Sequence, residues 1–299
     1  MRRSGPPVPV TVRGTEFRFG ARTYVMGIVN VTPDSFSGDG LLQDPGDAVG
    51  AAVAQAVRMA GEGADIVDIG GESTRPGHRP TDEADELQRV SGVISAIRER
   101  LPEVPISIDT SKPGVAEAAL VAGADIVNDV AAVTAAAALA PVAAAYGAPY
   151  VVMHGRAQPE YGDVVAEVVA DLRRTLDFAE RAGCAPDSLI VDPGIGFGKT
   201  VPQNLRLLGA LEALWELERP ILLGASRKST IGTVLELPVD DRVEGTLATT
   251  ALGIAGGVDI VRVHDVGANV RVARMSDAIV RGGWQDADAT GASASASPS

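Results

Sequence analysis

Short apolar runs recur along the chain at 24–29, 64–69, 104–108, 125–127, 149–153, 189–191, 221–224 and 258–263. Runs of this length, without polar alternation, are those of strands buried on both faces, as in a parallel sheet. The stretches between them carry apolar residues every three or four positions, as at Val164, Val168, Leu172 and Leu176. That spacing predicts helices over roughly 47–62, 81–100, 113–122, 134–146, 163–182, 201–217, 228–256 with a break near Pro238, and 266–281. Eight strands, each followed by a helix, predict an α/β fold: a single (β/α)8 TIM barrel with its active site at the carboxyl ends of the strands. The barrel domain spans 23–282. Residues 1–22 form an N-terminal extension whose alternation over 8–19, centred on Gly14-Thr15, predicts a β-hairpin placed to close the barrel bottom. From 283 to 299 the chain turns to Ala, Ser and Gly and predicts a disordered C-terminal tail, because so little apolar surface cannot offset chain entropy.

Composition narrows the function classes. The net charge of −13 and the lack of a sustained Lys/Arg cluster argue against nucleic acid, so any anion must be held locally by a few placed cations. One cysteine, Cys184, excludes an intrachain disulfide, and its helix-end position favours a structural role. The uncharged stretch 130–153 is long enough to span a membrane, but Pro141, Gly147 and Pro149 interrupt it. It reads better as a barrel helix leading into a buried strand, with no membrane partner and a cytoplasmic protein expected. The 45% of hydrophobic residues, many of them alanine, suit closely packed helices around a core of Val, Ile and Leu.

At or just after the predicted strands stand Asn30, Glu72-Ser-Thr-Arg75, Asp109, Asn128, His154, Asp192, Arg227-Lys228, Arg262 and His264. Asp109, Asn128 and Asp192, converging in a barrel mouth, suit an NH-rich heterocycle: a carboxylate accepts from paired N–H groups, and an amide both donates and accepts. An acidic metal site is the lesser reading, since the carboxylates are dispersed one per strand with no second acid expected near any of them. The long loop after Asn30 carries Pro33 and Phe36 and reads as a lid. The amide oxygen of Asn30 could complete a Mg²⁺ shell alongside phosphate oxygens. Arg75, beyond Gly70-Gly71, offers a planar fork for an anion. The segment 192–200 misses the Walker phosphate-loop spacing, because position 193 is proline. Its glycines place Phe197 and Lys199 over the site, although a solvated Lys199 fits equally. At least one of Arg227 and Lys228 should point across the mouth. Ser226 lacks the second glycine of a nucleophile elbow. Arg262 and His264 share one side of the last strand and can meet a leaving anion. His154 fits a core role as readily as a site role.

These segments resemble a known family. Asn30-Val-Thr-Pro-Asp-Ser-Phe36, Asp68-Ile-Gly-Gly-Glu-Ser-Thr-Arg-Pro-Gly77, Asp192-Pro-Gly-Ile-Gly-Phe-Gly-Lys-Thr200, Gly224-Ala-Ser-Arg-Lys-Ser229 and Arg262-Val-His-Asp265 look like the signatures of the dihydropteroate synthases, in the expected order. The resemblance implies a transferase of folate biosynthesis. It would be a Mg²⁺-dependent condensation of 6-hydroxymethyl-7,8-dihydropterin diphosphate with 4-aminobenzoate, by dissociative substitution, in a homodimer inhibited by sulfonamides. It implies a pterin site of Asp109, Asn128, Met153, Asp192, Lys228 and Arg262. Asn30, Thr74, Arg262 and His264 would hold the diphosphate, with Asn30 also on the metal. Thr74, Arg75, Pro76, Phe197, Lys228 and Ser229 would frame the aminobenzoate, and Pro33 and Phe36 would close over it. By the same resemblance, Lys228, Asp109, Arg262 and His264 would carry the catalytic roles. The chain departs from the pattern at Ser37-Gly-Asp-Gly40, which leaves the placement of Asp39 open, and at Gln203, where histidine is common. The alternatives are a pterin-binding methyltransferase of the corrinoid kind, which has no need of Arg227-Lys228 or Arg262-Val-His264, and a non-catalytic pterin-binding paralogue.

Overall fold

In the computed structural model, which describes residues 5–31, 48–72, 81–130 and 138–282, the N-terminal alternation forms β1 (Val10–Val12) and β2 (Thr15–Phe17). They pair antiparallel, Val10 with Phe17, across Arg13-Gly14, both at positive φ (49° and 77°). Two consecutive positive φ values match the tight hairpin turn whose twist suits the flanking strands.

The apolar runs become β3 (Tyr24–Asn30), β4 (Ile66–Gly70), β5 (Ile106–Thr110), β6 (Ile126–Asp129), β7 (Tyr150–Met153), β8 (Leu189–Asp192), β9 (Leu222–Leu223) and β10 (Ile260–Val263). All pair in parallel in the order β8-β7-β6-β5-β4-β3-β10-β9, and a parallel bridge from Val191 to Ile221 joins the two ends. The expected barrel is therefore present.

Alternation along each strand sorts its side chains onto two surfaces. One parity, including Val25, Val67, Ile108, Val127, Val152, Val191 and Val261, packs outward on the helices. The other parity forms a separate apolar cluster in which Met26, Ile66, Ile126, Val151, Ile190, Leu222 and Ile260 meet Val10, Val12, Phe17 and Phe19 of the hairpin region. The hairpin thus closes the bottom of the barrel, as its sequence predicts. Two residues further along β4, β5, β6, β8 and β10, the inward positions become Asp68, Asp109, Asn128, Asp192 and Arg262. Strand parity alone delivers the polar groups to the mouth.

The helices are α1 (Ala48–Glu62), α2 (Glu83–Arg100), α3 (Pro113–Ala122), α4 (Ala140–Tyr146), α5 (Val164–Arg181), α6 (Val201–Leu208), α7 (Ser229–Leu235), α8 (Val243–Ala255) and α9 (Val266–Val280). Local chemistry sets many of their ends. Asp82 and Asp163 cap α2 and α5 with side-chain oxygens, and left-handed Gly123 and Gly147 end α3 and α4. One predicted helix is shorter than expected. The segment 201–217 stops at Gly209-Ala210 and resumes as the 3-10 turn Leu211–Leu217. The segment 228–256 breaks near Pro238 as its sequence predicts, where Glu236 turns left-handed (φ 58°). Gln203, the departure from the family pattern, completes a capping box with Thr200 at the start of α6. Residues 140–153 form α4 and β7, and no described helix is long and apolar enough to cross a membrane. Cys184 is buried beyond α5 with its thiol donating to the Ala140 carbonyl (3.3 Å), the structural role its position suggests. The tail 283–299 lies outside the described residues.

Candidate active site

Arg262 organises the mouth. It leaves β10 at an inward position and crosses the barrel, its Nε 2.6 Å from Asp68 on β4 and its Nη2 on Asp109 of β5. Asn128 of β6 extends the row, its Nδ2 3.3 Å from Asp68. A buried guanidinium needs paired acceptors to offset lost hydration, and two carboxylates on separate strands supply them. Burial alone would lower the Arg262 pKa, yet Asp68 and Asp109 hold it above the usual arginine value. Burial pushes the Asp109 carboxyl upward, Arg262 opposes this, and nearby Asp68 adds to it. The expectation that no second acid lies near these carboxylates is therefore wrong. Asp68 and Asp109 share one cation, because parallel pairing sets their strands side by side with both residues facing inward.

Across the mouth, Asp192 ends β8 and its Oδ1 accepts from the Gly194 amide (2.7 Å). Burial raises its pKa, against the pull of Lys228. Of the two adjacent cations after β9, Lys228 points inward. Its Nζ donates to the Ile195 carbonyl (2.5 Å) and sits 4.5 Å from the centre of the Phe197 ring. Burial lowers the ammonium to about 8, although Asp192 favours its charge. Arg227 takes a left-handed backbone (φ 56°) and turns away to pair with Asp265 (2.7 Å). Only one cation of the pair reaches the mouth, as the buried run before it implies.

The remaining positions are distributed around this centre. Met153, buried at the end of β7, pairs in register with Asp192. Asn30 ends β3 opposite Gly70. A side-chain carbon on Gly70 would lie 3.7 Å from both the Asn30 amide oxygen and Asp109 Oδ2, so these oxygens flank the space that glycine leaves. His264 follows β10, with Nδ1 3.0 Å from Ser226 Oγ, and its own amide donates to the same oxygen (3.2 Å). Ser226 supports a histidine and is no isolated nucleophile. Ser229 is exposed at the first position of α7. Pro33, Phe36, Asp39, Thr74, Arg75 and Pro76 lie outside the described residues.

Sequence reasoning missed the part played by Asp68, which it took as one residue of an apolar run. It also missed a brace behind the second loop. Lys112 Nζ bridges Glu72 (2.6 Å) and buried Glu86 (2.5 Å), and Glu86 accepts from Thr110 Oγ1 (2.8 Å). This ties the end of β4 to α2 and β5. His154 and Lys199, both left open from sequence, contact each other (2.8 Å between Nδ1 and Nζ), and Lys199 is directed into the protein.

Fold and mouth together define a barrel enzyme whose inward groups suit a nitrogen-rich ring beside an anion. The sequence profile of the pterin binding enzymes matches residues 26–264. The dihydropteroate synthase of Clostridium beijerinckii is 48% identical over 89% of this chain and 97% of its own. A structure of the Xanthomonas albilineans dihydropteroate synthase with 4-aminobenzoic acid superposes with a TM-score of 0.84 at 41% identity, covering 92% of this chain and 98% of that one. The Yersinia pestis dihydropteroate synthase with a sulfonamide drug gives a TM-score of 0.82 at 36% identity over 91% and 98% of the two chains. The chain belongs to the pterin-binding enzyme family and, within it, to the dihydropteroate synthases.

Proposed function

We propose that this chain joins 6-hydroxymethyl-7,8-dihydropterin diphosphate to 4-aminobenzoate, releasing pyrophosphate and 7,8-dihydropteroate for folate biosynthesis. The observation that carries the reading is the inward row of Asp109, Asn128, Asp192 and Lys228 around Arg262, in a chain that matches dihydropteroate synthases over nearly their full length. Asp192 and Asn128 offer a carboxylate and an amide to the N–H edge of the pterin, Met153 supplies an apolar wall, and Asp109 and Lys228 complete the ring site. Arg262 reaches from this layer toward the diphosphate, where Asn30, His264 and Thr74 join it.

The carbon–oxygen bond at the exocyclic methylene breaks first, and pyrophosphate leaves with the bonding pair. The electron-rich pterin spreads the positive charge, while the fixed carboxylates beneath it stabilise that charge without reorganisation. The arylamine nitrogen then donates its lone pair to the same carbon and afterwards loses a proton. No enzyme atom becomes bonded to substrate. Arg75, Pro76, Phe197, Lys228, Ser229 and Thr74 frame the aminobenzoate, and Pro33 and Phe36 close over it to exclude water. A sulfonamide would enter this second subsite.

The donor set fits Mg²⁺ arriving with the diphosphate: a neutral amide oxygen at Asn30, facing space kept open by Gly70, suits a hard cation whose other ligands are phosphate oxygens and water. When bound, the ion would neutralise charge on the leaving group. We further propose a homodimer in the cytoplasm. Leu252 on α8 and Met275 and Ile279 on α9 are exposed apolar residues on two helices packed against each other, the kind of surface a second copy covers.

Pyrophosphate release, followed together with pteroate formation, tests the reaction. Both products should appear in equal amounts and only when both substrates are present. Sustained release with the pterin diphosphate alone, or no product with both, contradicts it.

A further inference from the structure

The glycine-rich segment between β8 and α6 runs close over the backbone that follows β7. Gly194 (φ +66°) and Gly198 (φ +62°) approach so nearly that a side-chain carbon would fall 1.7 Å from the His154 carbonyl oxygen and 1.9 Å from that of Arg156. Glycine permits the approach but does not hold the segment there. Lys199 does, from beneath. Its Nζ donates to the carbonyls of Gly194 (2.8 Å) and Phe197 (3.1 Å) and lies 2.8 Å from His154 Nδ1. An ammonium has three donors and no acceptor, and three acceptors surround it.

The third acceptor has its own support. His154 is fully buried, and its Nε2 stands 3.1 Å from Asp171, which also binds Arg156 (2.7 Å) and Arg174. An imidazole that donates Nε2–H to Asp171 presents a bare Nδ1 to Lys199. Burial and the Lys199 charge lower the His154 pKa to about 4, in keeping with this neutral form. On its upper side the same segment offers the Ile195 carbonyl to Lys228 and sets the Phe197 ring against it. The loop therefore lies between two lysines.

We propose that Lys199 is a positioning residue: by tying residues 194–197 to His154 it sets Phe197 and the Ile195 carbonyl against Lys228, and so shapes the aminobenzoate side of the site. The proposal rests on the functional reading above. Its test is Lys199→Met in the full chain, which keeps most of the side-chain volume and removes all three donors. The variant should show at least a tenfold rise in the KM for 4-aminobenzoate, with the KM for the pterin diphosphate changed less than twofold. If Lys199→Met does not fold, His154→Ala should show the same selective rise, and His154→Asn, whose amide oxygen can stand in for Nδ1, should restore at least half of it. Unchanged constants for both substrates, or an equal rise in both, overturns the positioning role. A wild-type chain that makes no product with both substrates sinks the functional reading itself.

Discussion

The floor and the mouth of this barrel are built by the same strands and the same inward parity, two residues apart. At the floor, Ile66, Ile126, Ile190 and Ile260 meet Phe17 and the hairpin valines in an apolar cluster. One inward step higher stand Asp68, Asn128, Asp192 and Arg262, charged or amide groups taken out of water and satisfied by one another or by backbone. The floor gains free energy by burying apolar area. The mouth spends conformational freedom and hydration to fix charges in place, which is what a site for an ionic transition state requires. Stability and chemistry thus occupy adjacent layers of one interior, and substitutions should separate them.

The largest effects belong to the mouth. Lys228→Ala and Asp192→Asn should each lower turnover by about 10³-fold, the scale of losing one placed electrostatic group, while thermal melting shows a folded barrel. Near-normal activity in either would remove the distinction between the layers. Arg262→Met should disturb both properties, because it leaves Asp68 and Asp109 buried without their cation, at about 3–5 kcal/mol of stability. Adding Asp68→Asn and Asp109→Asn should recover more than half of that loss in denaturant unfolding, with turnover still absent. If stability does not recover, the carboxylates are not the source of the cost. Phe17→Ala in the floor should destabilise by about 3 kcal/mol through the cavity it opens, yet leave both KM values within twofold. A selective change in substrate binding would show that floor and mouth are coupled.

A smaller effect concerns pH. His154 is held neutral by burial, with its pKa lowered to about 4 from an unfolded value near 6.5. Its contribution to stability is present above pH 6.5 and is lost as pH falls through the folded value, since the unfolded chain takes up a proton that the native site refuses. Unfolding free energy should drop by on the order of 1 kcal/mol between pH 6.5 and 5, and His154→Asn should flatten that part of the curve. An unchanged slope would show that the imidazole is protonated in the folded state.

Much of the barrel was legible in the sequence because strands buried on both faces leave unmistakable apolar runs. The mouth was partly legible because its groups stand at the ends of those runs: Asp109, Asn128, Asp192, Lys228 and Arg262 were all visible as polar interruptions. Asp68 was not, for it lies within a run, two residues before the end of β4. Counting parity back from Gly70 would have marked it as inward-facing, and a carboxylate facing into a barrel needs a partner. Lys199 and His154 escaped for another reason: their contact joins residues 45 positions apart, and no periodicity links a loop lysine to a strand-end histidine. The break after Leu208 turns on local backbone, which the apolar spacing on either side conceals, whereas Pro238 marks the one after Leu235.

The central claim is that the inward polar layer binds the pterin ring. Calorimetric titration of a pterin ligand that lacks the diphosphate, into wild type and Asp192→Asn, tests it most directly. The account predicts saturable binding at one site in the wild type, weakened at least about tenfold by losing a charge-assisted hydrogen bond, with melting behaviour preserved in the variant. Equal affinity in the two proteins would contradict it.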